Sequence, residues 1–418
     1  MERRTPLYDI HLRSALKMVK GGGDYMFPYA YTSPVDEHLN VRKNVGMQDL
    51  TSMGEVDLKG PGVERLLHRL MVANIYEMLP GQVKYTTMCN PDGFIIDDVT
   101  VYKFNDEHFM VVTSSAPRKR TFQWIAEHAH GQHAYVADVS GSIALISVQG
   151  PRSRDLLAGV VADSATLLAQ KFFRFASNQI NGTDLLISRS GYTGELGYEL
   201  YVPAEEAAVL WEYLEKAGKE FGLMPYGTAA MQSLRIEKAF PLAGPDITSE
   251  QTPFEVGLHR WIDFSKHDFV GRGALLARQE FGLQERWVGL QMDGKLPANP
   301  GDAIYTTADI ASFRATIKSG SEAGDQWDAE KAGFQQIGRV TSSAKGHSVE
   351  KPLALAYLKV SHSWAGARVM VNIAGRPTAA TVVPTPFFDP AGIRLRGTTV
   401  QTLEATPEAK PTQSKKAR

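Results

Sequence analysis

The sequence predicts a mixed fold, α+β or mixed α/β, followed by a smaller β-rich unit. Segments with the alternation of strands are followed repeatedly by segments with helical periodicity, which is typical of such folds. Two stretches, 85–104 and 184–203, have the turn residues and β-branched flanks of β-hairpins. Beyond residue 283, short strand-like segments recur between glycines and prolines, which indicates a small barrel or sandwich.

Composition limits the classes of protein that fit. The chain has 418 residues, 43% hydrophobic and 22% charged, as expected for a globular protein of two or three domains. A net charge of -1 gives no electrostatic case for a nucleic-acid or anionic membrane partner. Cys89 is the only cysteine, which excludes disulfides within the chain. No apolar run has membrane-spanning length, so we expect a cytoplasmic protein.

The N-terminal elements follow from periodicity and capping residues. Residues 6–20 have helical spacing, and a glycine run at 21–31 ends in aromatic residues. Ser33 is a candidate N-cap, with proline in the first turn of the next helix. A strand is predicted at 108–115. Helices are predicted at 34–44, 63–71, 119–129, 205–222 and 227–238.

The C-terminal part is read as strands with one long insertion. Short strands are predicted at 286–292, 336–343, 353–360, 368–374 and 378–383. The polar stretch 306–334 is predicted to be a surface insertion. The charged tail from 402 onwards has few apolar residues, and we expect it to be disordered.

The first hairpin carries two adjacent carboxyl groups, Asp97 and Asp98, on its second strand. Asn90 to Gly93 form the predicted turn. Alternation assigns Phe94, Ile96, Asp98, Thr100 and Tyr102 to one face and Ile95, Asp97, Val99, Val101 and Lys103 to the other. The Asp97 face is more apolar and is predicted to be the core side, whereas the Asp98 face suits a pocket wall. The alternative is a strand end with both aspartates in water.

The second hairpin has three glycines at intervals of three residues. Gly191, Gly194 and Gly197 surround Tyr192, and Glu199 lies on the outgoing strand. Such spacing could bind phosphate, but no helix start follows, so a dinucleotide fingerprint is not expected. Tyr192 and Glu199 could also be ordinary turn and strand residues.

Several chemistries have no support in the sequence. The only histidine cluster, His128, His130 and His133, lies at the end of a predicted helix, where we expect capping or solvent exposure, so no metal site is predicted. No nucleophile elbow or phosphate-binding loop is present. The remaining candidates are carboxylates beside aromatic residues, which suit a flat heterocycle. One carboxylate can accept paired N–H groups from a pterin-like or purine-like ring, and another can assist at a reacting amine.

A series of collinear motifs carries a family resemblance over roughly residues 5–390. They include RTPLYDIHL, YTTMCNPDGFIIDDVTVY, SVQGP, SRSGYTGELGYELYVP, LRIEK, TPFEVGL and DFVGRGAL. This series resembles the aminomethyltransferase (glycine-cleavage T-protein) family. The resemblance implies three interlocked N-terminal α/β subdomains around a folate channel and a C-terminal β-barrel-like domain. The implied domains are 1–280 and 284–395, with 402–418 as the tail.

The resemblance also implies the cofactor and the site. It implies tetrahydrofolate, held by the family's positions Tyr85, Asp98, Tyr102, Tyr192 and Glu199. Glu199 would hold the pterin ring. Asp98 would be the catalytic residue, beside the folate nitrogens that accept the one-carbon unit.

Three departures from the family pattern bear on the donor. Met231 stands where glycine-cleavage members have a folate-contacting arginine, Ser52 where they have histidine and Thr113 where they have asparagine. The stretch AMQSLRIEKAF is closer to the folate domains of dimethylglycine and sarcosine dehydrogenases. We therefore expect a demethylase that moves a methyl group from a small N-, O- or S-methylated substrate to tetrahydrofolate. The alternatives are an aminomethyltransferase acting on a lipoylated carrier protein and a non-catalytic folate-binding protein.

The aromatic residues of the 21–31 loop are candidates for the donor side of the pocket. Tyr25, Tyr29 and Tyr31 could make cation–π contacts with a quaternary or sulfonium methyl group. The alternative is that they pack against the N-terminal helix.

Overall fold

The computed structural model of the protein describes residues 2–306 and 334–397. It contains a two-stranded ribbon, a six-stranded sheet, a five-stranded sheet and a closed six-stranded barrel. The predicted mixed α/β fold with a C-terminal barrel is confirmed. Most of the predicted insertion and the whole predicted tail lie outside the described residues, and the predicted domain limits stay predictions.

The N-terminal part contains thirteen of the described strands and nine of the described α-helices. The strands are β1 Lys17–Lys20, β2 Met26–Ala30, β3 Val45–Asp49, β4 Gly54–Lys59, β5 Gln82–Cys89, β6 Ile95–Asn105, β7 His108–Thr113, β8 Tyr135–Asp138, β9 Ile143–Gln149, β10 Phe175–Ile180, β11 Thr183–Ser188, β12 Gly197–Pro203 and β13 Leu223–Pro225. The helices are α1 Tyr8–Ser14, α2 Pro34–Lys43, α3 Val63–Leu70, α4 Arg118–Ala129, α5 Ser153–Ala158, α6 Ser164–Ala169, α7 Ala207–Ala217, α8 Thr228–Glu237 and α9 Arg272–Phe281.

The five-stranded sheet is antiparallel and has the order β5-β6-β7-β4-β8. Its outer face is covered by α3 and α4, because both helices have an apolar stripe at helical spacing. Leu66 and Leu70 of α3 and Ile125 of α4 pack there against Val99 and Val101 of β6. The Asp97 face is therefore the core side, as predicted.

The six-stranded sheet has the order β10-β11-β12-β9-β3-β13 and is antiparallel except where β13 joins β3. Helices α1, α5, α6 and α7 cover its outer face, with Trp211 fully buried in that core. The inner faces of the two large sheets meet in a separate apolar cluster. Val83, Tyr102 and Val112 from one sheet pack there with Leu145 and Tyr201 from the other.

The C-terminal part is a closed antiparallel barrel with the order β14-β17-β16-β15-β18-β19. Its strands are β14 Glu285–Met292, β15 Ala303–Thr306, β16 Gln336–Gly346, β17 Lys351–Lys359, β18 Arg368–Ile373 and β19 Arg376–Val383. The barrel closes because β14 pairs with both β17 and β19, which leaves no open edge. The sequence did not predict β15, because this four-residue strand runs into the polar insertion.

A buried ion pair joins the barrel to the N-terminal part. Arg235 of α8 lies 2.5 Å from Asp246, and both side chains are fully buried. Asp246 also accepts hydrogen bonds from Thr341 at 2.5 Å and Ser342 at 2.7 Å, both on β16. The hydroxyl of Tyr357 on β17 donates to the Asp246 carbonyl at 2.7 Å. Two barrel hydroxyl groups thus bind the Asp246 carboxylate, and a third binds the backbone carbonyl of the same residue.

Some predicted elements differ in extent. The helix predicted at 6–20 ends at Ser14, and its second half is strand β1, which pairs with β2. The helix predicted at 205–222 is α7 flanked by two 3-10 turns. Ser33 occupies the N-cap position of α2 but makes no capping bond. No helix in the described part of the chain combines the length and the apolar character needed to cross a membrane.

Candidate active site between the two sheets

The first hairpin forms as predicted. Asn90 and Phe94 close the turn: the Asn90 N–H donates to the Phe94 carbonyl, and the Asn90 side chain accepts the Phe94 N–H, each at 2.9 Å. Gly93 has a φ of +82°, a backbone conformation that favours glycine. Two assignments were wrong, because the β5–β6 register shifts between Met88 and Cys89, pairs Cys89 with Ile95 and leaves Ile96 unpaired. Ile95 packs with Cys89 in the cluster that Tyr85 joins, away from the helix side. Ile96 consequently packs on the helix side with Val99 instead of on the Asp98 face.

Asp97 lies between β6 and helix α4. Its Oδ2 accepts the Thr121 hydroxyl at 2.8 Å and the Ser114 backbone N–H at 3.2 Å, while Oδ1 has no partner among the described residues. Burial, together with the neighbouring Asp98, raises the pKa of Asp97 well above its usual range. Asp97 thus holds the Ser114 backbone from the helix side of the sheet.

Asp98 points to the opposite face, into the space between the sheets. The Tyr85 hydroxyl donates to Oδ2 at 2.9 Å, and the Ser114 hydroxyl lies 3.2 Å from Oδ1. Burial raises the pKa of Asp98, and the hydrogen bonds from Tyr85 and Ser114 oppose that rise. Asp98 as a residue is nevertheless only partly buried. Partial accessibility together with strong desolvation is what a side chain lining an enclosed cleft should show.

Glu199 lies on the facing sheet, within a row of polar side chains that crosses four strands. Register places Ser188 of β11, Glu199 of β12, Ser147 of β9 and Gln48 of β3 side by side. The Ser190 hydroxyl donates to Glu199 Oε2 at 2.5 Å. Burial raises the pKa of Glu199, and the Ser190 hydrogen bond opposes it. A polar row on an inner sheet face indicates a ligand cleft, because a packed core would need apolar residues there.

Tyr102 is fully buried and connects the two sheets. Its hydroxyl lies 2.8 Å from the Tyr201 hydroxyl and 3.2 Å from Ser188 Oγ. Its ring packs against Phe175 and Tyr201. Direct contact of Tyr102 with folate stays a prediction, and the structure places its hydroxyl in a hydrogen-bonded chain that leads to Glu199.

Tyr192 lies near both Asp98 and Tyr85. Asp98 raises the pKa of Tyr192, and Tyr192 in turn raises the pKa of Tyr85. Its ring stacks on Phe240, and its hydroxyl donates to the Pro241 carbonyl at 2.5 Å. The nearby glycines have a packing role. A Cβ on Gly191 or Gly197 would lie 2.0–2.2 Å from the buried Gln149 side chain. The glycine spacing is therefore explained without a phosphate ligand.

The residues that depart from the family pattern border this cleft. Ser52 and Ser115 are joined by a 2.7 Å hydrogen bond, and buried Thr113 precedes Ser114, which bonds Asp98. Met231 packs against the small cluster that contains Tyr226. Tyr226 and Glu199 are close enough for the charge of Glu199 to raise the pKa of Tyr226.

The loop tyrosines are engaged with their own chain. Tyr31 hydrogen-bonds His11 of α1 at 2.8 Å, which supports packing against the N-terminal helix. The guanidinium of Arg3 lies 4.3 Å from the centre of the Tyr25 ring, and Lys17 lies 5.7 Å from that of Tyr29.

No group of three or more residues able to hold a metal ion occurs in the described part of the chain. Of the histidine cluster, His128 hydrogen-bonds the Trp124 carbonyl at 2.8 Å, one turn earlier in α4.

Sequence reasoning missed most of the groups that support the two carboxylates. Ser188, Ser190 and Tyr201 lie at alternate positions with Glu199 across the hairpin, so period-2 alternation could have found them. Ser114 lies in a connection after β7 and carries no such signal. Glu55 of β4 was also missed: it is 1% exposed, and neither carboxyl oxygen has a partner among the described residues. Burial raises the pKa of Glu55 to about 8.

Comparison with known proteins agrees with this fold. The family described as GCVT N-terminal domain matches residues 7–266, and the glycine cleavage T-protein C-terminal barrel domain matches residues 286–389. The aminomethyltransferase of Halothermothrix orenii is 33% identical over 386 residues, covering 92% of this chain and all of the relative. That of Moorella thermoacetica is 34% identical over 387 residues, covering 92% and 98%. The crystal structure of glycine cleavage system aminomethyltransferase T from Bartonella henselae matches with a TM-score of 0.80 and 26% identity, covering 93% and 99%.

The two-sheet α/β unit and the barrel, together with the family matches, define an enzyme of the transferase class that handles one-carbon units. The relatives match both parts of the chain in one continuous order. The chain belongs to the aminomethyltransferase (glycine-cleavage T-protein) family.

Proposed function

We propose that this enzyme transfers a one-carbon unit to tetrahydrofolate, and that the unit arrives as an aminomethyl group on a lipoylated carrier protein. The observation that carries the proposal is the placement of Asp98 and Glu199 on facing sheets, each hydrogen-bonded by hydroxyl groups. The aminomethyl unit is chosen because relatives that span 92% of the chain are aminomethyltransferases. A cytoplasmic location belongs to this proposal and rests on the single buried Cys89.

Glu199 would receive the pterin ring. Its Oε2 accepts the Ser190 hydroxyl, while Oε1 accepts no hydrogen bond from the described residues. A carboxylate with a free oxygen at a polar sheet face can accept paired, coplanar N–H groups. The partly accessible rings of Tyr85 and Tyr192 would flank the ligand.

Asp98 would act at the folate nitrogens. Tyr85 and Ser114 hold its carboxyl group in place, so it can stabilise positive charge that develops there and take up a proton. In the overall exchange, two folate N–H bonds and the two bonds from the donor carbon to nitrogen and sulfur break. Two C–N bonds to folate form, and the two protons end on ammonia and on the lipoyl thiol. The products are 5,10-methylenetetrahydrofolate, ammonia and the reduced carrier.

Demethylation of a small methylated substrate is the second candidate. It is favoured by Ser52, Thr113 and Met231, which replace the family's histidine, asparagine and arginine around the cleft. The first two place hydroxyl groups along the segment that holds Ser114. The relatives support demethylation less well than aminomethyl transfer, and its product would be 5-methyltetrahydrofolate.

The two candidates are separated by their products. Purified protein with tetrahydrofolate is incubated either with an aminomethyl-loaded lipoyl carrier or with a panel of methylated amines, ethers and sulfonium compounds. We expect 5,10-methylenetetrahydrofolate with the carrier and no 5-methyltetrahydrofolate with the panel. The opposite pattern would refute aminomethyl transfer. An Asp98→Asn variant that binds folate with undiminished turnover would refute the catalytic role of Asp98. Wild type that binds folate but forms product with neither donor would favour a folate-binding protein.

A further inference from the structure

Four hydroxyl groups form a continuous chain that ends at Glu199. The chain runs from Tyr201 to Tyr102 at 2.8 Å, to Ser188 at 3.2 Å, to Ser190 at 2.7 Å and to Glu199 at 2.5 Å. It joins β6 of one sheet to β11 and β12 of the other, together with the loop between those two strands. Each hydroxyl carries one hydrogen and can also accept.

Counting hydrogens fixes the direction of the whole chain when Glu199 is ionised. A carboxylate only accepts, so Ser190 donates to it and must itself accept from Ser188. Ser188 has then used its hydrogen and accepts from Tyr102, which in turn accepts from Tyr201. All four hydrogens point towards Glu199. Such an aligned chain strengthens its terminal bond, because each hydrogen bond polarises the next.

We propose that Tyr201, Tyr102 and Ser188 are positioning residues that hold Glu199 as a carboxylate, with Oε2 occupied and Oε1 presented to the N–H groups of a pterin ring. The binding of a pterin ring by Oε1 rests on the proposed function. The stabilisation of the Glu199 charge by the hydroxyl chain does not. Tyr102 and Ser188 thus act on the ligand only through Ser190 and Glu199.

No cationic side chain among the described residues helps to stabilise the Glu199 carboxylate, so its stabilisation depends on the hydroxyl groups. Tyr102 on β6, Tyr201 on β12 and Tyr226 after β13 are the titratable side chains whose pKa Glu199 raises. Glu55 on β4 acts on Tyr201 in the same sense. Among the described residues no lysine, arginine or histidine contributes to the pKa of Glu199. A buried carboxylate without a cation depends on hydrogen-bond donors to stay ionised.

The first test needs no ligand. The free energy of unfolding is measured from pH 4.5 to 8.5 for wild type, Ser188→Ala, Glu199→Gln and the double variant. We expect coupling between the two sites at high pH, where Glu199 is charged, and its loss at low pH, where Glu199 is protonated. The control cycle replaces Ser188→Ala by Tyr198→Phe, since Tyr198 lies on the core face of β12 and its hydroxyl bonds Arg154. Coupling that is absent, or equal at all pH values, would overturn the proposal.

The second test measures tetrahydrofolate binding by calorimetry at pH 6 and pH 8.5. Removing a hydroxyl raises the pKa of Glu199, so binding should weaken at pH 6 and recover at pH 8.5. We expect at least roughly tenfold weaker binding for Ser190→Ala, which loses a charge-assisted bond. Tyr201→Phe, four hydrogen bonds from Glu199, should cost about two- to threefold, and Tyr198→Phe should cost nothing. A uniform loss at both pH values would mean a merely structural role and overturn the proposal. Failure of wild type to bind would refute the proposed function, and the first test would still decide whether the chain supports Glu199.

Discussion

Tyr85→Phe should raise the pKa of Asp98 while leaving its surroundings in place. The variant keeps the ring, which packs edge-on against Trp261 at 5.7 Å, and removes only the hydroxyl that donates to Asp98 at 2.9 Å. A hydrogen bond to a charged group contributes about 1.5–3 kcal/mol. Since one pKa unit corresponds to about 1.4 kcal/mol, and Asp98 keeps some solvent access, we take the lower end and expect a rise of about one unit.

The sign of the effect on activity follows from the ionised form being the active one. Burial already raises the pKa of Asp98, and the Tyr85 hydroxyl lowers it. Without the hydroxyl the carboxylate is lost at a higher pH, so the acid limb of kcat/KM should move up by about one pH unit. Below both limbs the rate should fall about tenfold relative to wild type, and on the plateau it should change little.

The assay is single-turnover product formation from pH 5 to 9, with Tyr198→Phe as the matched control. Ser114→Ala should move the limb in the same direction, because Ser114 bonds the other oxygen of Asp98. If the acid limb of the kcat/KM profile stays at the same pH in both variants, or if the rate falls equally at every pH, the assignment of Asp98 as the group that must be ionised is refuted.

Three further predictions concern stability. Glu55→Gln should remove a pH dependence of the unfolding free energy: burial raises the pKa of Glu55 from 4.5 to about 8, so wild type should lose about 5 kcal/mol between these pH values. Urea unfolding at pH 5 and 8.5 checks this. An equal change in unfolding free energy between the two pH values in wild type and Glu55→Gln would contradict it. Asp246→Ala strands the buried Arg235 charge and should cost about 3–5 kcal/mol, measured by the same method, with partial recovery on adding Arg235→Met. Gly197→Ala should lower the melting temperature, and Gln149→Ala should relieve it, because the new Cβ would lie 2.2 Å from the Gln149 side chain.

The sequence was sufficient for the hairpins and for the separation of Asp98 from Asp97, because both depend on local turn chemistry and on the period of a strand. It could not locate Ile96, since a register shift interrupts the alternation without any glycine or proline to mark it. It also could not find Ser114, whose bond to Asp98 joins the residue after β7 to the neighbouring strand β6.

The donor was the part of the site least determined by sequence. Ser52, Thr113 and Met231 are visible as departures, but their meaning depends on which of them face the reacting carbon. The family relation favours the aminomethyl donor, and the demethylation that the departures first indicated becomes the second candidate.

The ion pair between α8 and the loop after it has a consequence for biosynthesis. Asp246 emerges from the ribosome roughly a hundred residues before Thr341 and Ser342, the hydroxyl partners that its carboxylate needs. Until β16 is made, a fully buried arrangement of Arg235 and Asp246 would leave polar atoms unsatisfied, which disfavours early closure of that region. The nascent N-terminal part should therefore remain open at this corner, and the chain should reach its native state late, once the barrel strands have been made.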